Sequence, residues 1–346
     1  MIDNSAKVLL VYVGGTIGMV ENSETGALEP FNFSHLESNM REMKRLNFHV
    51  TTYLFDPPID SSDVSPEKWQ AMATIIKEHY DDYDGFVILH GTDTMAYSAS
   101  VMSLMFENLT KPVIFTGSQL PIGKLRTDGK ENLITALEIA ADKDELGHPT
   151  VPELCIYMQN VLLRGNRTTK INSENFSAFS SPNYPCLAEA GVDIRYEKSF
   201  ILKPDYDKPV KFHFNLDNNV AVLKIFPGIT EQLVRAVLTV PGLKGVVLET
   251  YGSGNSPRDE WFITLLHEAI KKGIVIVNIT QCLYGSVEMH RYKNGLSLEE
   301  AGLISGYDIT TEAALAKLMI LFGKGKTSEE VKKMMQVPLR GELTKR

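Results

Sequence analysis

Apolar residues run unbroken over positions 8–13, 86–89, 113–115 and 154–158. Each run is too short for a helix and shows no alternation, so each reads as a parallel strand covered on both faces. Weak alternation over 49–55 adds a further strand. Between these runs the spacing turns helical. Trp69, Met72, Ile75 and Ile76 share one side of a helix ending near Tyr80. Ser65 and Pro66 supply its N-cap and first position. A second helix begins near Met95, and a third covers 128–141.

This β–α alternation predicts an α/β fold with a larger N-terminal, mainly parallel, doubly wound domain. A second round follows, with strands over 220–226, 245–249 and 273–279. Its helices begin near Thr230, Pro257 and Thr311, and a short one covers 328–336. That round reads as a smaller C-terminal α/β domain. Residues 182–209 are irregular and contain Pro185, Pro204 and Pro209. The expected division is therefore 1–190, a linker over 191–210, and 211–346. Residues 20–32 show no apolar period and read as a mobile loop beside a strand end, suited to a lid.

The chain has 346 residues, enough for two cores. Its formal net charge of -8 argues against a nucleic-acid backbone as partner. Three cysteines, Cys155, Cys186 and Cys282, are widely spaced and match neither a zinc site nor a disulfide framework. No metal site is expected. The first apolar run is too short for a signal segment, and no stretch approaches a membrane span. A cytoplasmic protein with no membrane partner is the expectation.

The candidate chemistry gathers where strands end. Open α/β sheets bind ligands beyond the carboxyl ends of their strands. Thr16 lies there after Gly14 and Gly15, and Thr92 and Asp93 follow the apolar run that ends in Leu89. Asp60, Ser61 and Ser62, then Ser118 and Gln119, occupy similar places, and Lys170 lies in the run Arg164-Gly165-Asn166-Arg167-Thr168-Thr169-Lys170. Hydroxyls can hold a carboxylate and Asp93 can hold an ammonium, which suits a small zwitterion. A threonine hydroxyl needs a proton acceptor to act as a nucleophile. Lys170 could serve if burial lowers its pKa, with Asp93 orienting it. The residues alone leave other readings open: Thr92 or Asp93 could simply cap a helix, and Lys170 could be a solvated surface lysine. His90 has no second ligand at helical spacing and reads as a structural histidine. Gly14 to Gly18 lacks the glycine spacing of a dinucleotide loop.

The combined motifs are more specific. Val13-Gly14-Gly15-Thr16-Ile17-Gly18-Met19, His90-Gly91-Thr92-Asp93-Thr94-Met95, Tyr80 to Gly85, Arg164 to Lys170 and Thr280-Gln281-Cys282 occur in one order. Together they resemble the bacterial-type L-asparaginases, in their cytoplasmic type I branch, over nearly the whole chain. The resemblance implies hydrolysis of L-asparagine to L-aspartate and ammonia without a cofactor. It implies catalytic roles for Thr16, Thr92, Asp93 and Lys170, with Thr16 as the acyl-accepting nucleophile. It assigns substrate contacts to Asp60, Ser61, Ser62, Thr92 and Asp93. It also implies a homo-oligomer, dimer or tetramer, in which the second domain of one subunit completes its neighbour's site. Two departures stand out. The lid tyrosine of the family is missing, because no tyrosine lies between Met19 and Phe48. Thr169 and Cys282 match an effector pocket of some type I enzymes, but an arginine of that pocket is replaced by Glu249. Weak or absent activation by asparagine is the expectation.

Overall fold

The computed structural model describes residues 5–21, 28–30, 41–291 and 293–345. The chain forms two units, Met1–Ser181 with Pro185–Phe212, and Pro182–Tyr184 with His213–Arg346.

In the first unit β1 (Lys7–Tyr12) is followed by a hairpin, β2 (Met19–Glu21) and β3 (Leu28–Pro30). Then come β4 (His49–Leu54), β5 (Gly85–Leu89), the two-residue β6 (Phe106–Glu107), β7 (Val113–Thr116) and β8 (Leu154–Met158). Helices α1 (Pro66–Glu78), α2 (Met95–Met105) and α3 (Gly129–Ala141) alternate with them. Strands β4, β1, β5, β7 and β8 lie side by side in that order, all parallel. Every residue of β5, β7 and β8 is buried, which is why their sequences carry no polar face. The edge strand β4 is largely exposed, and its sequence alternates only weakly for that reason.

This strand order reverses direction between β1 and β5. A reversal of this kind opens a crevice at the carboxyl ends of the two strands. Thr16 follows β1 and Thr92 follows β5, so the topology sends both to that crevice.

The sheet is wider than the sequence suggests. β9 (Val161–Arg164) turns back along β8. A short ladder of β10 (Thr169–Lys170) and β11 (Phe179–Ser180) follows. Then β12 (Ala188–Ala190) adds antiparallel to β9, and β13 (Ile194–Tyr196) adds antiparallel to β12, which completes eight strands. The expected linker over 191–210 is thus part of the first unit. β13 lies within it, and β14 (Lys211–Phe212), just beyond it, pairs with β6. A buried ion pair also anchors it. Arg164 Nε donates to Glu153 at 2.6 Å, Arg164 Nη2 donates to the Phe200 carbonyl at 2.7 Å, and Glu153 Oε1 accepts from the Leu202 N–H at 2.8 Å. Three-residue strands are too short to register as a period, and the prolines masked them. The unit changes at Phe212–His213, with 182–184 also joining the second unit.

Within the expected lid over 20–32, the described parts pair as the β2–β3 hairpin, and residues 22–27 and 31–32 lie outside the described residues.

The second unit is a four-stranded parallel sheet in chain order: β15 (Val220–Lys224), β16 (Gly245–Thr250), β17 (Val275–Thr280) and β18 (Ile304–Ser305). Its helices are α4 (Glu231–Leu238), α5 (Glu260–Lys271), α6 (Lys293–Glu300), α7 (Thr311–Gly323) and α8 (Ser328–Met335). The period of two splits its core. Val246 and Leu248 join one apolar cluster with Phe262 and Leu266, while Val247 joins another with Leu318 and Leu321. On α7 the fully buried Lys317 meets the fully buried Glu342 at 2.6 Å and also donates to the carbonyls of Met335 and Val337. Among the described residues no helix is long and apolar enough to cross a membrane.

Candidate active site

β1 and β5 end level, with Tyr12 opposite Leu89. The Val13 N–H then donates to the Leu89 carbonyl at 3.0 Å. Beyond this point the segments close on one another through glycine. A Cβ on Gly15, whose φ is +94°, would lie 2.5 Å from the Gly91 nitrogen. A Cβ on Gly91 would lie 2.4 Å from Ser61 Oγ. No side chain larger than hydrogen fits either contact, so Thr16, Ser61 and Thr92 are carried on three segments pressed together. Thr16 opens a single 3₁₀ turn, Thr16–Gly18, and is half-buried. Its hydroxyl makes no hydrogen bond among the described residues.

Lys170 reaches the same place from β10. Its Nζ donates to Thr92 Oγ1 at 2.9 Å and to Asp93 Oδ1 at 2.7 Å. The Lys170 side chain is 19% exposed, whereas that of Asp93 is 66% exposed. Solvent therefore screens the ion pair, and the contact with Thr92 is the sheltered one. Thr92 is buried, and its hydroxyl donates in turn to Gln119 Oε1 at 3.3 Å. The Gln119 Nε2 donates to the Asn175 carbonyl at 3.1 Å, which orients the amide with its oxygen toward Thr92. The Asp128 carboxylate holds this turn by accepting from the backbone N–H groups of Gln119 and Leu120. The sequence places Ser118 and Gln119 at a strand end but does not single out Gln119 as a partner of Thr92. Asp128 reads there only as the start of a helix.

Asp60 accepts from both the backbone N–H and the hydroxyl of Ser62, at 2.8 and 2.9 Å. These bonds hold its carboxyl below the usual carboxylate range. Asp60 and Ser62 are exposed, but Ser61 is only 5% exposed and abuts Gly91.

His90 is structural, as the sequence suggests. Its ring is 1% exposed. Trp69 Nε1 donates to Ser98 Oγ at 2.9 Å, which leaves the Ser98 hydroxyl to donate to His90 Nε2 at 3.0 Å. His90 Nδ1 then carries the proton and donates to the Gly91 carbonyl at 2.6 Å. Burial pulls the His90 pKa down to about 4. Below the site, therefore, lies a neutral ring of defined tautomer.

Thr169 pairs with Ser180 beside Lys170, while Cys282 is exposed in the second unit, just past β17. In that unit the Glu249 carboxylate accepts from Thr311 Oγ1 at 2.6 Å and lies 3.3 Å from Lys224 Nζ.

Two known families match the chain. The model of the asparaginase N-terminal domain matches residues 7–202, and that of the glutaminase/asparaginase C-terminal domain matches 219–335. The chain belongs to the asparaginase family. It is 45% identical over 343 residues to L-asparaginase 1 of Escherichia coli (strain K12), covering 97% of this chain and 98% of that one. It is 42% identical over 362 residues to the human 60 kDa lysophospholipase, covering 98% of this chain and 61% of that longer protein. The crystal structure of L-asparaginase I from Vibrio cholerae superposes with a TM-score of 0.89 at 42% identity, covering 99% of this chain and 100% of that one. The asparaginase fold thus extends through both units.

Proposed function

We propose that this asparaginase-family protein hydrolyses the side-chain amide of L-asparagine to L-aspartate and ammonia, with Thr16 as nucleophile. The observation that carries the reading is the Lys170 Nζ contact with the buried Thr92 hydroxyl at 2.9 Å, on a segment in backbone contact with the one bearing Thr16. Binding alone does not require two nucleophilic hydroxyls with an amine beside them.

In this reading Thr16 Oγ1 attacks the amide carbon and its proton passes to the Thr92–Lys170 pair. The C–N bond breaks, ammonia leaves with a proton returned by the pair, and a β-aspartyl ester remains on Thr16. Water then attacks the ester with the same pair as base, which frees L-aspartate and restores Thr16. To accept a proton, Lys170 must turn a lone pair to Thr92, and the Thr92 hydrogen must swing away from Gln119. Asp93 stabilises the ammonium so formed. Backbone N–H groups near Thr92 stabilise the oxyanion. Asp60, kept ionised by Ser62, takes the substrate's α-ammonium. Ser62 offers a hydroxyl to the α-carboxylate, and Ser61 contributes through its backbone.

The same reading carries a small amino-acid partner, a cytoplasmic place of action and a homo-oligomer in which a neighbouring second unit completes each site. The deciding experiment is ammonia release by the purified protein with L-asparagine and L-glutamine side by side. Release from L-asparagine supports the reading. Hydrolysis of a lysophospholipid ester with no ammonia from either amide would overturn it.

A further inference from the structure

Thr94 stands at the N-cap of α2 but does not cap it. A threonine there ordinarily accepts from a backbone N–H two or three residues on. Here the hydroxyl turns away from its own helix and donates to the Ser61 carbonyl at 2.6 Å. The contact spans 33 positions of chain, between the turn that carries Asp60, Ser61 and Ser62 and the segment that carries Thr92 and Asp93. Just before Asp60, the Ile59 N–H donates to the Val13 carbonyl at 2.7 Å, and the remaining bonds on that turn are local. Ser62 bonds to Asp60, the Asp63 N–H bonds to the Asp60 carbonyl, and Lys68 Nζ bonds to the Asp63 carbonyl. From the other side Ser61 is wedged against Gly91. Ser61 is thus gripped by residues immediately before and after Thr92 and Asp93.

We infer that Thr94 is a positioning residue that ties the substrate-holding turn to the catalytic segment. The inference rests on the function proposed above. A small substrate held at one end by Asp60 and Ser62 must present its amide carbon to hydroxyls on other segments, and a shift of about 1 Å at such a contact is costly. The Thr94 bond sets the spacing between those two halves. Because the hydroxyl makes no capping bond, α2 does not depend on it. Its loss acts on the turn, and through the turn on substrate binding.

The test compares Thr94→Val, which keeps the shape and removes the hydroxyl, with Thr94→Ser, which keeps the hydroxyl. Steady-state ammonia release from L-asparagine and calorimetric binding of L-aspartate are measured for both. For Thr94→Val the expected result is about a tenfold rise in KM and in the L-aspartate Kd, with kcat within about threefold of wild type. Thr94→Ser should restore both constants. In an Asp60→Ala background the Thr94→Val effect on KM should shrink, because the turn no longer grips the ammonium. A lower Tm with KM unchanged, a fall in kcat alone, or full additivity with Asp60→Ala would overturn the inference. So would failure of both Thr94→Val and Thr94→Ala to fold, since that marks the hydroxyl as purely structural. Absence of ammonia release by the wild-type protein would count against the proposed function instead, and L-aspartate binding would still test Thr94.

Discussion

Gly15 and Gly91 touch backbone to backbone, and a Cβ on Gly15 would lie 2.5 Å from the Gly91 nitrogen and 2.6 Å from its Cα. These glycines directly precede Thr16 and Thr92. The two hydroxyl-bearing segments therefore have no room for slack between them. Gly15→Ala should push them apart, because backbone on both sides cannot yield as a flexible side chain would. A loss of about 10²-fold in kcat/KM is expected. Circular dichroism close to that of wild type, measured alongside, would confirm that the loss is local.

Thr92 and Lys170 are expected to act as a unit. Lys170→Met removes the amine, and Thr92→Val removes the hydroxyl it contacts. Each should lower kcat by about 10³-fold, within the range for lost acid–base catalysis. The double variant should lose little more than either single one, because a broken relay cannot be broken twice. Retention of a tenth of wild-type kcat by either variant would remove the pair from the chemistry.

His90 predicts a pH dependence of stability. Its folded pKa of about 4 lies below the ordinary histidine value of about 6.5. Between those values the unfolded chain takes up a proton that the folded chain excludes. This group therefore leaves stability untouched above about pH 6.5 and erodes it as pH falls toward 4, by about 3 kcal/mol at most. Urea unfolding from pH 7 to pH 4.5 should show a steeper loss for wild type than for His90→Gln. Parallel curves would show that the ring is not the group responsible.

Glu249 predicts simple saturation by asparagine. Its carboxylate is already engaged by Thr311 and Lys224. Under the proposed function, its negative charge would repel the α-carboxylate of an effector approaching it. Initial rates against L-asparagine should follow a hyperbola with a Hill coefficient near one. A sigmoidal curve would show that an effector binds despite Glu249.

The legible parts of the chain are those with physical periodicity. Val8 to Tyr12 and Phe86 to Leu89 are strands covered on both faces, and such strands advertise themselves as unbroken apolar runs. The helix beginning at Pro66 is legible for the complementary reason, since its buried residues recur at helical spacing. By contrast, β12 and β13 have three residues each, and they join the sheet only because β12 pairs with the distant β9. No local window contains that information. At the site, the hydroxyls and the amine were visible as residue types at strand ends. The partner choices were not. Thr94 looks like any N-cap, and only the folded chain shows that its hydrogen bond goes to Ser61. Gln119 likewise becomes a partner of Thr92 only once two strands lie in register.

The Lys317–Glu342 pair has a consequence for how the chain is made. A ribosome releases α7 before it releases the counter-ion of Lys317. Until then α7 carries an ammonium on a face that must become dry, and leaving such a charge uncompensated costs several kcal/mol. The nascent second unit can therefore gather its strands early but cannot seat α7 until the stretch from Met335 to Glu342 has emerged to receive it. Translation thus sets the order of events: closure of the second unit waits on the segment that carries Glu342.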